Sequence, residues 1–184
     1  MIQFVSQLLR PFLFLRPIRR VRRNHGLEHA TIHVLSKRAR PISMAGRAVV
    51  DGFFVYGNVD TDDLLKAARE AIERMRKGEH ILAIHPNCGT GLVTAGFLTT
   101  MATTLATVGA GGSIFGRLKR VPHMIVLAMA ALMVSQPMGL KLQQYITTLG
   151  DPGNLEIVDI TRQQVRLPFQ KSPVIVHKVH TRLG

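Results

Sequence analysis

Apolar positions recur along this chain in three patterns, and each predicts a different kind of element. The first is continuous. Residues 81–116 contain no Asp, Glu, Lys or Arg, residues 91–112 form an almost unbroken apolar and threonine-rich run, and residues 121–140 form a second uncharged run. A helix needs about 20 apolar residues to cross the hydrocarbon layer at about 1.5 Å per residue. Both runs are therefore expected to cross a membrane, as a helical hairpin. Arg117, Lys119 and Arg120 mark its turn at a surface. Gly109, Ala110, Gly111 and Gly112 are small enough to let two backbones approach closely. The five threonines between Thr99 and Thr107 can return their hydroxyls to the helix backbone.

The second pattern is periodic. Asn24 is expected to cap a helix over residues 25–37 that stops before Pro41. Asp60 is expected to cap another that runs to about Lys77. In that helix Asp62 and Asp63 occupy the first turn, Leu64, Leu65, Ala68, Ile72 and Met75 form the apolar stripe, and Gly78 ends it. Residues 47–59 are rich in β-branched and aromatic side chains around an Asp51-Gly52 turn signal and predict one or two strands. Residues 80–84 read as a short strand. Beyond the apolar runs, Asp151-Pro152-Gly153-Asn154 is a turn, and residues 155–160 and 174–179 are expected to pair as strands. The fold class expected is an α+β membrane protein, a small mixed lobe split by a two-helix transmembrane hairpin. Its segments are 1–23 as an anchor, 24–90 carrying the chemistry, 91–140 as the hairpin, and 141–184 completing the lobe.

The third pattern lies in residues 1–15, where Phe, Leu, Ile and Val are interrupted by Arg10 and Pro11. A cleavable leader would carry its charge first and end in small residues, and this segment does neither. Arg16, Arg19, Arg20, Arg22 and Arg23 follow at once. Apolar residues dipped into one leaflet with arginines on the headgroups describe an interfacial anchor. Charge agrees: the 184 residues carry 24 Lys and Arg against 11 Asp and Glu, while Trp is absent and aromatics are only 5%. Anionic lipid headgroups are the partner such a surface implies, and nucleic acid is the less favoured one. The basic flanks place the lobe on the cytoplasmic side of a cell membrane. The single cysteine, Cys88, excludes an intrachain disulfide framework.

Two short motifs carry the chemistry. In His25-Gly26-Leu27-Glu28-His29 the two histidines are four apart, so on a helix they share a face and can grip one cation. Glu28 beside them is available as a general base, in the inverted form of a zinc-hydrolase signature. In His85-Pro86-Asn87-Cys88-Gly89-Thr90, His85 and Cys88 are ligand types at ligand spacing, and imidazole with thiolate suits zinc. His33 continues the helical spacing and could add a ligand or be an ordinary core histidine. His80 and His123 read as surface residues. His177 and His180 fall on opposite faces of a strand and do not form a ligand pair.

Together the stretches HGLEHAT and HPNCGTG resemble the HGxEH and HPxCGT pair of the YqhQ-like bacterial membrane proteins, an uncharacterised family, or a smaller sister family. The resemblance covers under half of the chain and implies a metal site in a membrane setting, with no substrate attached. Three functions are compatible with these residues. One is a membrane-bound zinc hydrolase, such as a peptidase, in which His25, His29 and His85 bind the metal and Glu28 takes a proton from water, on a substrate presented by the membrane or a partner protein. The second is a closed site of His25, His29, His85 and Cys88 that staples a non-catalytic scaffold or complex subunit. The third makes Cys88 a nucleophile activated by His85 or His25.

Overall fold

The protein was described from a computed structural model, which places residues 2–38, 43–108, 114–166 and 173–184. It divides into two compact units, residues 1–85 with 143–184, and residues 86–142. The architecture is mixed α+β.

The first unit is a four-stranded antiparallel sheet with two helices against one face. Strands β1 (Ala45–Val49), β2 (Gly52–Tyr56), β3 (Glu156–Val165) and β4 (Val174–Arg182) lie in the order β1-β2-β4-β3. The β1–β2 hairpin turns through Val50 and Asp51, with Val49 paired to Gly52. Gly52 has φ +146°, and a Cβ there would collide with the Val179 carbonyl of β4, so only glycine fits. The sequence signal located this turn, displaced by one residue.

Helices α3 (Arg16–Arg38) and α4 (Thr61–Arg76) cover the sheet. Leu27, Val34 and Leu35 of α3 meet Leu64, Ala71 and Met75 of α4 over Phe53, Val55 and Val179 of the strands. The α4 cap is as expected: the Asp60 carboxylate accepts from the N–H groups of Asp62 at 2.9 Å and Asp63 at 3.1 Å.

The expected cap on α3 is corrected. The helix begins at Arg16, and Asn24 lies in its interior, fully buried. Its Nδ2 donates to the carbonyls of Val49 at 2.8 Å and Val50 at 3.1 Å, and its Oδ1 accepts from Thr181 Oγ1 at 2.8 Å. A polar side chain that caps helices by preference here serves tertiary bonds to the hairpin and β4 instead. The arginine run assigned to a separate anchor is therefore the first part of α3. Arg22 is buried and donates to the carbonyls of Leu13, Tyr145 and Thr148. Ahead of it, α1 (Ile2–Leu8) and α2 (Arg10–Leu13) leave Phe4, Leu8 and Phe12 exposed. The expected stop of α3 before Pro41 lies outside the described residues.

Residues 80–84 are not a strand. His80–Ala83 form a single 3₁₀ turn, whose following carbonyls are directed at side chains of α3 rather than at a neighbouring strand.

The second unit contains α5 (Gly89–Thr107), α6 (Ile114–Leu118) and α7 (Val121–Leu142). Helices α5 and α7 pack together where a Cβ on Gly139 would stand 3.0 Å from Gly91 Cα. The glycines expected to serve this purpose, Gly109, Gly111 and Gly112, lie outside the described residues. Thr94, Thr103 and Thr107 return their hydroxyls to helix carbonyls. A π turn, Gln143–Thr147, prolongs α7. Among the described residues one helix, Val121–Thr147, is long and apolar enough to cross a membrane, with a mean hydropathy of 1.6 over an 18-residue stretch. The other expected span, α5, does not reach that standard, because its seven threonines dilute its apolar content.

Candidate metal centre

Three histidines, His25, His29 and His33, succeed one another at four-residue spacing on α3, so all lie along one stripe of the helix. Gly26 sits beside that stripe and is buried. A Cβ there would fall 2.5 Å from the Leu149 carbonyl oxygen and 3.2 Å from Ala83 Cβ. Glycine thus admits two backbone segments against the helix, one around Ala83 and one from the π turn to Leu149.

Those segments orient the imidazoles. His29 Nδ1 lies 2.8 Å from the Ala83 carbonyl, and His25 Nδ1 lies 3.0 Å from the Thr147 carbonyl. A carbonyl only accepts, so Nδ1 carries the proton in both rings and the lone pair of the neutral imidazole sits on Nε2. This is the usual way in which an outer partner prepares a metal-ligating histidine. His33 is turned the other way, with Nε2 2.9 Å from the Ile84 carbonyl.

His85 closes the row. Its ring centroid is 5.8 Å from that of His29 and 4.9 Å from that of His33, while those of His25 and His29 are 4.5 Å apart. Burial, and secondarily the charge on His33, lower the His85 pKa from its ordinary value, which keeps it neutral near pH 7. The backbone N–H of His85 donates to Gln143 Oε1 at 2.9 Å. That bond fixes the Gln143 amide orientation and leaves its buried Nε2 without a hydrogen-bond partner among the described residues.

Cys88 follows His85 by three residues, so the chain itself keeps it within about 11 Å of that residue. It is buried, caps α5 and accepts from Thr90 N–H at 3.4 Å. A helix N-terminus favours the thiolate, the form in which cysteine binds metal. His25, His29 and Cys88 make up a His/His/Cys cluster that could hold a metal, with ligand atoms all within 4.8 Å of one another. His85, the third imidazole expected in the ligand set, stands beside His33 and outside this group of three.

Glu28 is 4% exposed. Its carboxylate lies against the Cα of Gly46 in β1, where any Cβ would overlap Oε1. Gly46 and Gln143 were not singled out from the sequence, and Gly26 only as a fixed position of the HGxEH motif. A glycine inside a strand or helix pattern signals close approach of another group, which is the role both glycines have. Gln143 had no local signal. His80 and His123 are exposed, as expected. His177 is fully buried on the helix-facing side of β4 and His180 lies on the other face.

Comparison with known proteins adds a family and no activity. Residues 20–160 match a family described as a domain of unknown function, DUF6391. The chain is also 33% identical over 160 residues to an uncharacterized protein of Picosynechococcus sp. (strain PCC 7002), across 79% of this chain and 74% of that one. No solved structure matches.

Proposed function

We propose, starting from the fact that this chain belongs to the DUF6391 family, that it is a membrane-bound, zinc-dependent hydrolase. One observation carries the reading: the two helix imidazoles have Nδ1 tied to backbone carbonyls, so that Nε2 of each is the ligand end, with a cysteine sulfur in the same cluster. Two imidazoles and a thiolate suit zinc among the common divalent ions. Three protein ligands leave one position open, which is the pattern of catalytic rather than structural zinc sites. Zinc bound there would supply an acidified water and polarise a carbonyl. Glu28 would take one proton from the attacking water and return it to the departing group, so that the acyl carbon gains a hydroxyl and loses an amine or alcohol. A peptide bond is one substrate of this class, and the likeness of the two motifs to those of the YqhQ-like proteins belongs to this reading.

The setting proposed is a multi-pass cell-membrane protein with its lobe in the cytoplasm. In it α5 and α7 both span, since they present Leu92, Val93, Phe97, Val126 and Met133 outward. Arg16, Arg19 and Arg20 would rest on anionic headgroups, with Phe4, Leu8 and Phe12 dipped into the leaflet. A second reading follows from the 5.8 Å between the His29 and His85 rings. Were His85 to swing in as a fourth ligand, the site would be closed and the protein a metal-stapled scaffold.

Metal analysis of the purified full chain tests the proposal first, with about one zinc per chain expected. Glu28→Gln should then keep the zinc and abolish hydrolysis of an acyl substrate library. Zinc that is absent, or hydrolysis that survives Glu28→Gln, refutes the enzyme. Loss of zinc in His85→Ala as complete as in His25→Ala supports the closed site. Release of the protein from membranes by high salt refutes the spanning helices.

A further inference from the structure

The second unit holds a cavity of about 500 Å³ between α5 and α7 that the catalytic reading does not use. That volume is within the range of sites for small organic ligands. Its walls are of two kinds. Leu92, Ala95, Leu132 and Leu140 are apolar, while Asn87, Cys88 and Gln136 bring polar atoms. The local sequence explains the gap. Gly91 and Ala95 give α5 little side-chain volume on this side. Pro137, inside α7, has no N–H for the Met133 carbonyl, which opens the helix ladder there.

Gln136 is the second observation. It is exposed, in a helix apolar enough to cross a membrane. An amide facing hydrocarbon is costly, and polar side chains in such helices ordinarily serve a ligand or a pathway. Here the amide lines the same cavity as Cys88, a ligand of the proposed metal.

We propose that this cavity is a subsite for one acyl chain of a membrane lipid, with the chain between the leucines and its carbonyl end toward Asn87, Cys88 and Gln136. Lipid is the occupant the surroundings supply: Val93 is 73% and Met133 77% exposed on the same two helices, so the cavity is flanked by surface that bilayer chains would cover. As substrate class this makes the hydrolase an acyl-lipid hydrolase. The assignment of a reaction rests on the metal reading above; the binding of an acyl chain does not.

The test uses the full chain in phosphatidylglycerol vesicles that contain a trace of phospholipid with a diazirine at the end of one acyl chain. After illumination, labelled positions are mapped by mass spectrometry. Labelling at Ala95, Leu132 and Leu140 should exceed that at Val93 and Met133 at least fivefold. Ala95→Phe, which fills the cavity, should remove that excess and leave labelling at Val93 and Met133 unchanged. Leu132→Trp should do the same from the opposite wall, which guards against a packing defect peculiar to either variant. Equal labelling at all five positions, or an excess that persists in both variants, overturns the subsite. Zinc content is measured on the same samples. Cavity labelling without zinc keeps the acyl site and removes the hydrolase, whereas zinc without cavity labelling does the reverse.

Discussion

Gly26→Ala is the substitution with the sharpest consequence. The added methyl would fall 2.5 Å from the Leu149 carbonyl oxygen, about 0.8 Å inside an ordinary carbon–oxygen contact of ~3.3 Å. The obstacle is backbone, and it is held: Leu149 N–H donates to the Arg22 carbonyl at 3.0 Å. On the other side Ala83 Cβ stands at 3.2 Å. Relief therefore moves the segments that present the Thr147 and Ala83 carbonyls to His25 and His29. Overpacking of this kind costs about 1–3 kcal/mol, and loss of an outer partner weakens metal binding tenfold to a hundredfold. The assay is zinc competition with a chromogenic chelator, with denaturant unfolding of the metal-free protein alongside. Gly96→Ala is the control, because a Cβ there meets nothing within 4 Å. Zinc affinity and unfolding midpoint both equal to wild type in Gly26→Ala would refute the argument that Gly26 seats the ligand-orienting carbonyls.

Three further outcomes are expected. Asn24→Ala removes three hydrogen bonds of a buried side chain that join α3 to the hairpin and β4, and should lower stability by about 2–3 kcal/mol in denaturant titration; a loss under about 0.5 kcal/mol contradicts the assigned role. Gln143→Leu deprives the His85 N–H of its acceptor and should lower stability by about 1–2 kcal/mol, which the same denaturant titration reads; an unchanged midpoint contradicts that role. His177 is held below its ordinary pKa of 6.5 chiefly by burial and by nearby Arg162, against an opposite effect of Asp60. The unfolded chain therefore binds the extra proton first, so stability should fall as pH drops through 6.5 and level off below the folded pKa. His177→Gln should flatten the stability profile between pH 7 and 5; an unchanged slope would show that this imidazole is not the group responsible.

The sequence disclosed the elements whose cause is local. Asp60 with Asp62 and Asp63 marked a helix start because capping is decided within one turn. The four-residue interval between His25 and His29 placed both rings on one helix face. What it concealed was set by partners far along the chain. Asn24 looked like a cap because its bonds to Val49, Val50 and Thr181 cannot be read from its neighbours. Residues 80–84 looked like a strand because four apolar residues follow one another there, while the carbonyls of Ala83 and Ile84 are engaged by His29 and His33. The threonines of α5 were expected to be harmless, since each can bond its own helix, yet together they lower its hydropathy below that of α7. His85 was singled out by its spacing to Cys88, and only coordinates set its ring beside those of His33 and His29.

Strand β4 has a consequence for how the protein is made. It comes later in the chain than every other strand, yet it occupies an interior position in the sheet, bonded to β2 on one side and β3 on the other. On the ribosome, α3, the β1–β2 hairpin and α4 emerge first and must wait for it. Residues 86–142 leave the exit tunnel during that wait. The apolar α7 is thus made while the sheet still lacks its interior strand, and the lobe is completed only after the whole second unit has been synthesised.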